Sequence, residues 1–410
     1  MKKIFSGLLL NLIISSLLQG DDTRLVLTQV NRIYFDYPQA KFVGFLEDSS
    51  SLILYYKDNF KNEFYTADLN GRYKNTLLIE NRKIVDYTIA KNRRYLVYRC
   101  TELDNRIKLI IFDIFKEIKS EYGEVELDYG LYTLPEDTDI VIAIIIANRY
   151  GYMKLERIDI KSDTKVLISD DDVTGISALK VSNNGELILL FNSQKEQWLT
   201  LKGNKIKPIS ILNKDIINPA FSKNGDGLLY VKNNIIGNTK CSELIRYDFN
   251  KDREDIILSS SDLRFFLKDY SITLFKEDHN IKDIYFILNK GFIEPTTITF
   301  NNFIENNLYR VSIKREAEEQ LTQLNFTHRV TDFWISDDSK IMFYSVYDTF
   351  NQNIDERILY YYEIEDKKFY RILQSCLKNL WINKINSSYI VIVETADGYW
   401  FLKLSEKYFD

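Results

Sequence analysis

A two-part pattern recurs along almost the whole of this 410-residue chain. The first part is a polar turn that is followed at once by a short apolar strand. Clear copies span residues 48–55, 91–98, 183–190, 224–231 and 337–344, and weaker copies start at Ile140, Ile284 and Tyr389. Such a repeat constrains the fold more than any single motif, because each copy predicts the same supersecondary unit.

The second part of the pattern is an apolar strand that ends in an acidic residue and a polar turn. The best copies end at Asp68, Asp113, Asp159 and Asp248, and looser copies place Lys202, Ser312, Glu363 and Ser405 at that position. In chain order these positions are 45, 46, 43, 46, 64, 51 and 42 residues apart. Eight occurrences at this spacing indicate eight copies of one unit.

A unit of about 45 residues with four short strands and no helical periodicity is typical of one blade of a β-propeller. One four-stranded sheet cannot bury both of its faces alone, whereas blades arranged in a ring cover one another. The sequence therefore predicts an all-β fold, a single β-propeller over residues 21–410 with eight four-stranded blades. Seven blades are the alternative, if the weak third or sixth unit is not a separate blade.

The two ends of the chain supply a device that closes the ring. The last unit has strands at 380–382, 389–393 and 399–402, and the chain ends without a fourth. At the other end, the sequence of 27–31 closely resembles that of 321–325, which ends the outer strand of the sixth unit. We therefore expect residues 24–30 to be the outer strand of the last blade.

The turn and strand motifs resemble the TolB-like propeller repeat, the PD40 type of WD40-like repeat. The segments that carry the resemblance are 221–225, with its Asn-Gly turn, and 65–68, with its aromatic-x-x-Asp ending. The resemblance covers roughly residues 24–410 but lacks the N-terminal α/β domain of TolB, and the ring is larger. It implies an envelope lipoprotein or an outer-membrane assembly component as a partner.

Turn-forming residues are scarce for a chain of this kind, with only 15 Gly and 5 Pro. Asn, Asp, Ser and Lys must therefore form most turns, and Asn and Asp tolerate the left-handed backbone conformations that turns require.

The N-terminus has the pattern of an export signal. Lys2 and Lys3 precede an apolar stretch from Ile4 to Leu18, which is followed by Gly20. This pattern predicts a signal peptide over residues 1–20 and a periplasmic or extracytoplasmic location. An uncleaved membrane anchor is the alternative, although the stretch is short for a hydrocarbon core of about 30 Å. We expect no membrane span in the mature chain.

Charge and cysteine content exclude some partners and leave one question open. The formal charge is -5, with 54 basic and 59 acidic residues and no basic block, so nucleic acid is not an expected partner.

Three cysteines, Cys100, Cys241 and Cys376, cannot all pair with one another, and the sequence does not establish their redox state.

No catalytic motif stands out, and we predict no catalytic residue, no metal ligand and no cofactor. A Gly-x-Ser-x-Gly elbow, paired Cys-x-x-Cys motifs and phosphate-binding glycine patterns are absent from the sequence. Residues 277–279, Glu-Asp-His, fit a general base or the polar turn of a repeat, and we favour the turn. Residues 170–172, three aspartates, fit a calcium ligand set or a solvated connection, and we favour the connection.

The sixth unit is longer than the others by 19 residues, because its interval is 64 where the usual one is 45. The excess falls at about 292–307 and contains the apolar residues Phe292, Ile293, Phe300 and Phe303. Insertions in repeat proteins lie on one face and often carry binding. These four residues are our candidate binding site, and packing on a neighbouring blade is the alternative.

The sequence favours a non-enzymatic exported scaffold of the bacterial periplasm or cell envelope that recognises a protein or peptide partner. The alternative is an enzyme acting on a carbohydrate or another small molecule, with carboxylates at the mouth of the channel. The fold alone does not decide between them, because propellers host both kinds of function.

Overall fold

The computed structural model describes residues 23–408 apart from 48–49, 60, 104–105, 126–131, 134–138, 147–152, 170–172, 174, 184, 186, 203–204, 210–215, 237–238, 252, 259–266, 279, 281, 296–299, 314–317, 326 and 350–355. Regular structure in these residues is entirely β-strand. A helix long and apolar enough to cross a membrane does not occur in this part of the chain. The predicted signal peptide, residues 1–20, lies outside the described residues.

The described strands number 32. In chain order they are β1 Thr23–Ile33, β2 Lys41–Phe45, β3 Ser51–Lys57, β4 Asn62–Asp68, β5 Tyr73–Glu80, β6 Lys83–Ile89, β7 Tyr95–Thr101, β8 Ile107–Asp113, β9 Ile118–Val125, β10 Tyr132–Thr133, β11 Ile140–Ile146, β12 Met153–Asp159, β13 Thr164–Ser169, β14 Ile176–Val181, β15 Ile188–Asn192, β16 Gln197–Lys202, β17 Lys205–Pro208, β18 Ile216–Phe221, β19 Gly227–Ile236, β20 Thr239–Asp248, β21 Arg253–Leu258, β22 Leu267–Glu277, β23 Asp283–Pro295, β24 Phe300–Ser312, β25 Glu319–Gln320, β26 His328–Ile335, β27 Ile341–Asp348, β28 Arg357–Glu363, β29 Lys368–Ser375, β30 Leu377–Ile385, β31 Ser388–Thr395 and β32 Gly398–Tyr408.

The strands form eight antiparallel blades of four. Blade 1 is β2 to β5, and each following blade takes the next four strands, up to β26 to β29 in blade 7. Blade 8 consists of β30, β31 and β32 with β1 on its outside. The prediction of eight blades is thus confirmed, and the alternative of seven is wrong.

Apolar side chains are buried between the blades, as the sequence pattern requires. Eight clusters of buried apolar residues occur in the described part of the chain, one between each pair of adjacent blades. The cluster that closes the circle joins Phe42 and Leu54 of blade 1 to Ile392 and Phe401 of blade 8. Each sheet therefore buries both faces against its neighbours, which is why the second strands of the blades are mostly apolar along their length.

The closing strand is the one that the sequence predicted. Strand β1 pairs antiparallel with β32, from Thr23 opposite Tyr408 to Ile33 opposite Tyr399, with a bulge between Leu27 and Gln29. It is a few residues longer than the expected 24–30 and joins the two ends of the chain in one blade.

The recurring turn between the first and second strands has one backbone geometry. Its fourth residue has a positive φ in blades 2, 4, 5 and 7, namely 59° at Arg93, 75° at Gly185, 72° at Gly225 and 56° at Ser339. The N–H of that residue donates to the carbonyl three residues earlier, at 2.7 to 2.9 Å. Two of the four residues are not glycine, so this fold needs fewer glycines than its number of turns suggests.

The recurring aspartate at the end of the third strand caps the turn that follows. Oδ1 of Asp68 accepts the N–H groups of Asn70 and Arg72, both at 2.9 Å. Oδ1 of Asp113 and of Asp248 accept two turn N–H groups in the same way, at 2.9 to 3.1 Å. The acidic residue of the repeat therefore has a structural role, since a short carboxylate satisfies turn N–H groups.

Blades 5 and 6 are fused at one end. Strand β20 pairs in parallel with β22, at Lys240 with Asp269 and at Cys241 with Tyr270. The hairpins β19–β20 and β23–β24 extend to this point, so that β19, β20, β22, β23 and β24 lie side by side. We call this five-stranded extension the arm, which comprises 233–236, 239–242, 267–271, 289–295 and 300–306. It lies on the face that carries the turns between second and third strands, and the sequence did not predict the fusion.

Candidate binding sites at the channel and at the arm

The first strands of the blades surround the central axis. Neighbouring first strands contact each other, as β2 does with β6 and β14 does with β18. A cavity of about 380 Å³ is lined mainly by the first strands of blades 5 to 8 and therefore lies along the channel. Its walls are mostly apolar and include Phe221, Phe275, Trp334, Ile335, Leu380 and Ile382. We call it the channel cavity.

Lys276 of β22 is one of the charged residues in this wall. Its ammonium lies 4.8 Å from the ring centre of Phe333 and 5.6 Å from that of Trp334. It donates to the carbonyl of Phe333 and to Oδ1 of Asp332, the latter at 3.3 Å. Burial lowers the pKa of Lys276, although the nearby carboxylate of Asp332 raises it. Asp332 therefore offsets only part of the free-energy cost of burying the ammonium.

Glu277 follows on β22 and faces blade 5, because successive side chains of a strand point to opposite sides. Its Oε2 accepts the N–H of Lys223 at 2.6 Å, whereas its Oε1 has no hydrogen-bond partner among the described residues. The residue is only 8% exposed. Burial raises the pKa of Glu277 even though the Arg246 guanidinium opposes this.

Polar contacts between blades hold this end of the channel. Asn183 of blade 4 donates through Nδ2 to the carbonyl of Lys223 in blade 5, at 2.9 Å. Lys384 of blade 8 contacts Oδ2 of Asp338 in blade 7 at 2.7 Å. Arg93 reaches from blade 2 to Oδ1 of Asn383 in blade 8 at 2.5 Å. Neighbouring and more distant blades are therefore linked by polar contacts near the cavity, and of these residues only Lys223 lines it.

The Glu-Asp-His segment at 277–279 contains a capped turn. Oδ1 of Asp278 accepts the N–H groups of Lys282 and Asp283, at 2.8 and 3.2 Å. This is the arrangement that we favoured, while His279 lies outside the described residues. Within the described part of the chain, no group of three His, Cys, Asp or Glu side chains is placed to hold a metal ion. Residues 170–172 lie outside that part, and Cys100, Cys241 and Cys376 are not in disulfide bonds.

The four residues predicted to bind a partner lie in the hairpin β23–β24 of the arm. Phe292 is opposite Phe303, Ile293 is opposite Asn302, and Phe300 is opposite Pro295. Leu267 of β22 is opposite Phe292, which puts Leu267, Phe292 and Phe303 in one row on one face. The side chains of these residues are outside what the structure describes, so their binding role stays a prediction.

One edge of the arm is open. Strand β25 pairs with β24 only at Tyr309 and Arg310, and Leu321 donates its N–H to the carbonyl of Leu308 at 2.8 Å. Among the described residues, no strand pairs with the outer edge of β24 between Phe300 and Glu305. A signal for this feature exists in the sequence, since the sixth unit is 19 residues longer than usual and its hairpin β23–β24 has 13 residues in each strand.

Apart from Glu277, the residues of the channel cavity were not identified from the sequence. Its charged residues lie immediately next to recurring turns, Lys276 and Glu277 before one and Lys223 within another. Aligning the repeats and taking the two residues before each turn would have collected most of this wall. The cavity itself was not predictable, because four blades that are distant in sequence form it.

Comparison with known proteins shows the fold alone. No family model matches this sequence, and no curated protein matches it. Among solved structures, an oligogalacturonate lyase in complex with manganese aligns with a TM-score of 0.52 at 11% identity, over 94% of this chain and 96% of its own. A dipeptidyl peptidase 4 from Porphyromonas gingivalis aligns with a TM-score of 0.52 at 11% identity, over 88% of this chain and 56% of its own.

This chain thus spans nearly the whole lyase but only about half of the peptidase. At such identities these likenesses establish a β-propeller and nothing about activity. The more specific TolB-like resemblance stays a prediction.

Proposed function

We propose that this chain is an exported, non-enzymatic β-propeller of the bacterial periplasm or cell envelope that binds an extended segment of a protein partner at the arm. The observation that carries the proposal is the open edge of β24. An open strand edge presents unpaired N–H and C=O groups, and an extended peptide can pair with them as an added strand.

The sequence of this edge suits strand addition. Natural edge strands are commonly protected by lysine or proline, and residues 300–305 contain neither. Phenylalanine, which is enriched in strands, occupies two of these six positions, Phe300 and Phe303.

The channel cavity supports a binding function over the carbohydrate-acting enzyme. Canonical glycosidases use two carboxylates about 5 to 9.5 Å apart. Among the described residues that line the cavity, Glu277 is the single carboxylate. The rest of the lining is apolar or basic, a composition that suits recognition of an apolar group better than acid–base catalysis.

The arm is tested with the mature chain, residues 21–410, and a library of extended octapeptides. Asn301→Pro and Asn302→Pro change adjacent residues, so one variant removes an N–H that points to β23 and the other an N–H that points outward. We expect the outward variant to weaken binding of a selected peptide at least tenfold by fluorescence anisotropy, without lowering the unfolding temperature. Asn301→Ala and Asn302→Ala are the matched controls and should bind normally. Unchanged affinity in both proline variants would refute binding at this edge.

Export is tested separately by fusing residues 1–20 to alkaline phosphatase, which is active only outside the cytoplasm. We expect an active fusion, and Leu9→Arg with Leu10→Arg should abolish the activity because a signal needs its apolar stretch. A fusion that is made but inactive would contradict the predicted location.

A further inference from the structure

The channel cavity is a second candidate site, separate from the arm. Three charged residues line it, Lys223, Lys276 and Glu277, and the other lining residues are apolar. We propose that the channel cavity binds a carboxylate on an apolar tail, with the carboxylate on Lys276 and the tail between Trp334, Leu380 and Ile382.

Among the described residues, Lys276 has acceptors for two of its three N–H donors. An ammonium group has three N–H donors. The carbonyl of Phe333 and Oδ1 of Asp332 take two of them. Oδ1 of Asp332 also accepts the N–H of Phe333 at 2.7 Å, and the Asp332 side chain is 44% exposed, so it is a shared and partly solvated counterion. A second anionic group at this ammonium would complete both its hydrogen bonding and its charge compensation.

Glu277 does not cancel this preference for an anion. Its side chain lies on the blade 5 side of β22, where its Oε2 accepts the N–H of Lys223, whereas Lys276 contacts blade 7. Burial also raises the pKa of Glu277, which weakens its preference for the charged form. Lys223 is a second basic residue in the wall.

The apolar lining of the cavity determines which group can accompany the carboxylate in the ligand. Trp334 and Ile335 come from blade 7, and Leu380 and Ile382 come from blade 8. A volume of about 380 Å³ is at the small end of ligand pockets and suits one apolar side chain with its carboxylate. A hydroxylated ring would leave most of its polar groups unsatisfied against these walls, which disfavours sugars. An amine would meet two ammonium groups.

Two sources share this chemistry, the C-terminal residue of a peptide and a free small carboxylate. Isothermal titration calorimetry with the mature chain separates the classes by using N-acetyl-leucine, its neutral amide, leucinamide and galacturonic acid. We expect N-acetyl-leucine to bind with a Kd of about 1 mM and the other three at least tenfold more weakly. A hexapeptide ending in leucine, compared with its C-terminal amide, distinguishes the sources, because tighter binding of the free-acid hexapeptide than of N-acetyl-leucine indicates a peptide end.

Lys276→Gln should weaken N-acetyl-leucine binding at least tenfold. Lys384→Gln is the matched control, since Lys384 lies at the same end of the channel but does not line the cavity, and it should bind normally. Equal binding of the acid and the amide, or a preference for leucinamide or galacturonic acid, would overturn the proposal. So would the absence of heat at 10-fold above the expected Kd, on the order of 10 mM. The ligand series needs only the unmodified protein, so a misfolded Lys276 variant would not remove the test.

Discussion

The closing blade and the fused pair of blades join their strands in different ways. In blade 8, β1 and β32 pair from Thr23 with Tyr408 to Ile33 with Tyr399, although they come from opposite ends of the chain. Between blades 5 and 6, the described residues pair at two positions, Lys240 with Asp269 and Cys241 with Tyr270. The long ladder removes an edge, whereas the short one builds an arm that keeps an edge open.

The closing strand and the arm also differ in whether they contribute side chains to the apolar clusters between blades. Ile33 is buried in the cluster between blades 8 and 1, and Leu25 and Leu27 pack against the cluster between blades 7 and 8. Strand β1 thus stabilises two interfaces of the ring. The arm lies beyond the clusters that hold blades 5 and 6 together, so we infer that the closure contributes stability and the arm contributes binding.

The largest effect is expected from removing β1, in a chain that starts at residue 34. Full burial of one Leu or Ile side chain is worth about 1.5 to 3 kcal/mol. Ile33 is buried, Leu25 and Leu27 are partly buried, and a backbone ladder is lost with them. The expected loss is therefore about 5 kcal/mol, comparable to the whole free energy of unfolding of an ordinary domain. Urea unfolding followed by tryptophan fluorescence should show loss of the cooperative transition.

A synthetic peptide of residues 23–33, added to the shortened chain, should restore part of that transition. An unchanged urea midpoint without β1 would show that the ring does not depend on its closure.

Gly227 at the start of β19 tests how tightly β19 packs against β20 in blade 5. A Cβ at this position would lie 2.3 Å from the carbonyl oxygen of Tyr247 in β20. We expect Gly227→Ala to lower the free energy of unfolding by about 1 to 3 kcal/mol, because the backbone must shift. Gly225→Asn, in the preceding turn with φ of 72°, should cost less, since Asn tolerates that conformation. Equal costs would contradict this packing.

Blade 7, which adjoins the closing blade, differs from blades 1, 2 and 5 in one turn cap. Glu363 stands where those blades have Asp, and its Oε1 has no hydrogen-bond partner among the described residues. Burial, with Asp366 nearby, raises the pKa of Glu363 from 4.5 to about 7. The folded state therefore holds the proton more tightly, so its contribution to stability is complete below pH 4.5 and is lost as the pH rises to about 7.

Glu363→Asp should place a carboxylate where Asp113 has one and should abolish the loss of stability at high pH. We expect the free energy of unfolding of this variant to exceed that of the natural chain by about 1 to 2 kcal/mol at pH 8. Urea unfolding at pH 5 and pH 8 measures the difference. Asp113→Glu is the reciprocal variant, and its free energy of unfolding should fall between pH 5 and pH 8. A gain for Glu363→Asp that is equal at both pH values would refute the titration of Glu363 as its cause.

The smallest effect is expected at the turn between β26 and β27. Oγ of Ser336 donates to Oδ1 of Asp338 at 2.7 Å and accepts the N–H of Ile341 at 3.1 Å. Ser336→Ala should cost about 1 kcal/mol in thermal unfolding. Ser339→Gly, at φ of 56°, should cost less, because glycine adopts this conformation without strain. A larger cost for Ser339→Gly than for Ser336→Ala would show that the hydroxyl of Ser336 does not stabilise the turn.

The repeat made the ring predictable because every blade buries the same positions in the same order. The pattern that ends at Asp68 and Asp113 located third strands correctly, and the likeness of 27–31 to 321–325 located the closing strand. The pairing of Lys240 with Asp269 had no such signal, because two residues of parallel ladder leave no periodic trace. The proximity of Lys276 and Trp334 was not predicted for another reason, since it depends on how two blades pack rather than on either segment alone.

Hydrogen exchange of the native protein, followed by mass spectrometry of peptides, tests the central contrast most directly. Amides of β1 should exchange only through global unfolding, with the same free energy as β31, whereas amides at 239–242 and 300–305 should exchange through local opening with a much lower free energy. Exchange of β1 as fast as that of the arm would contradict the account, because the ring would then open at its closure.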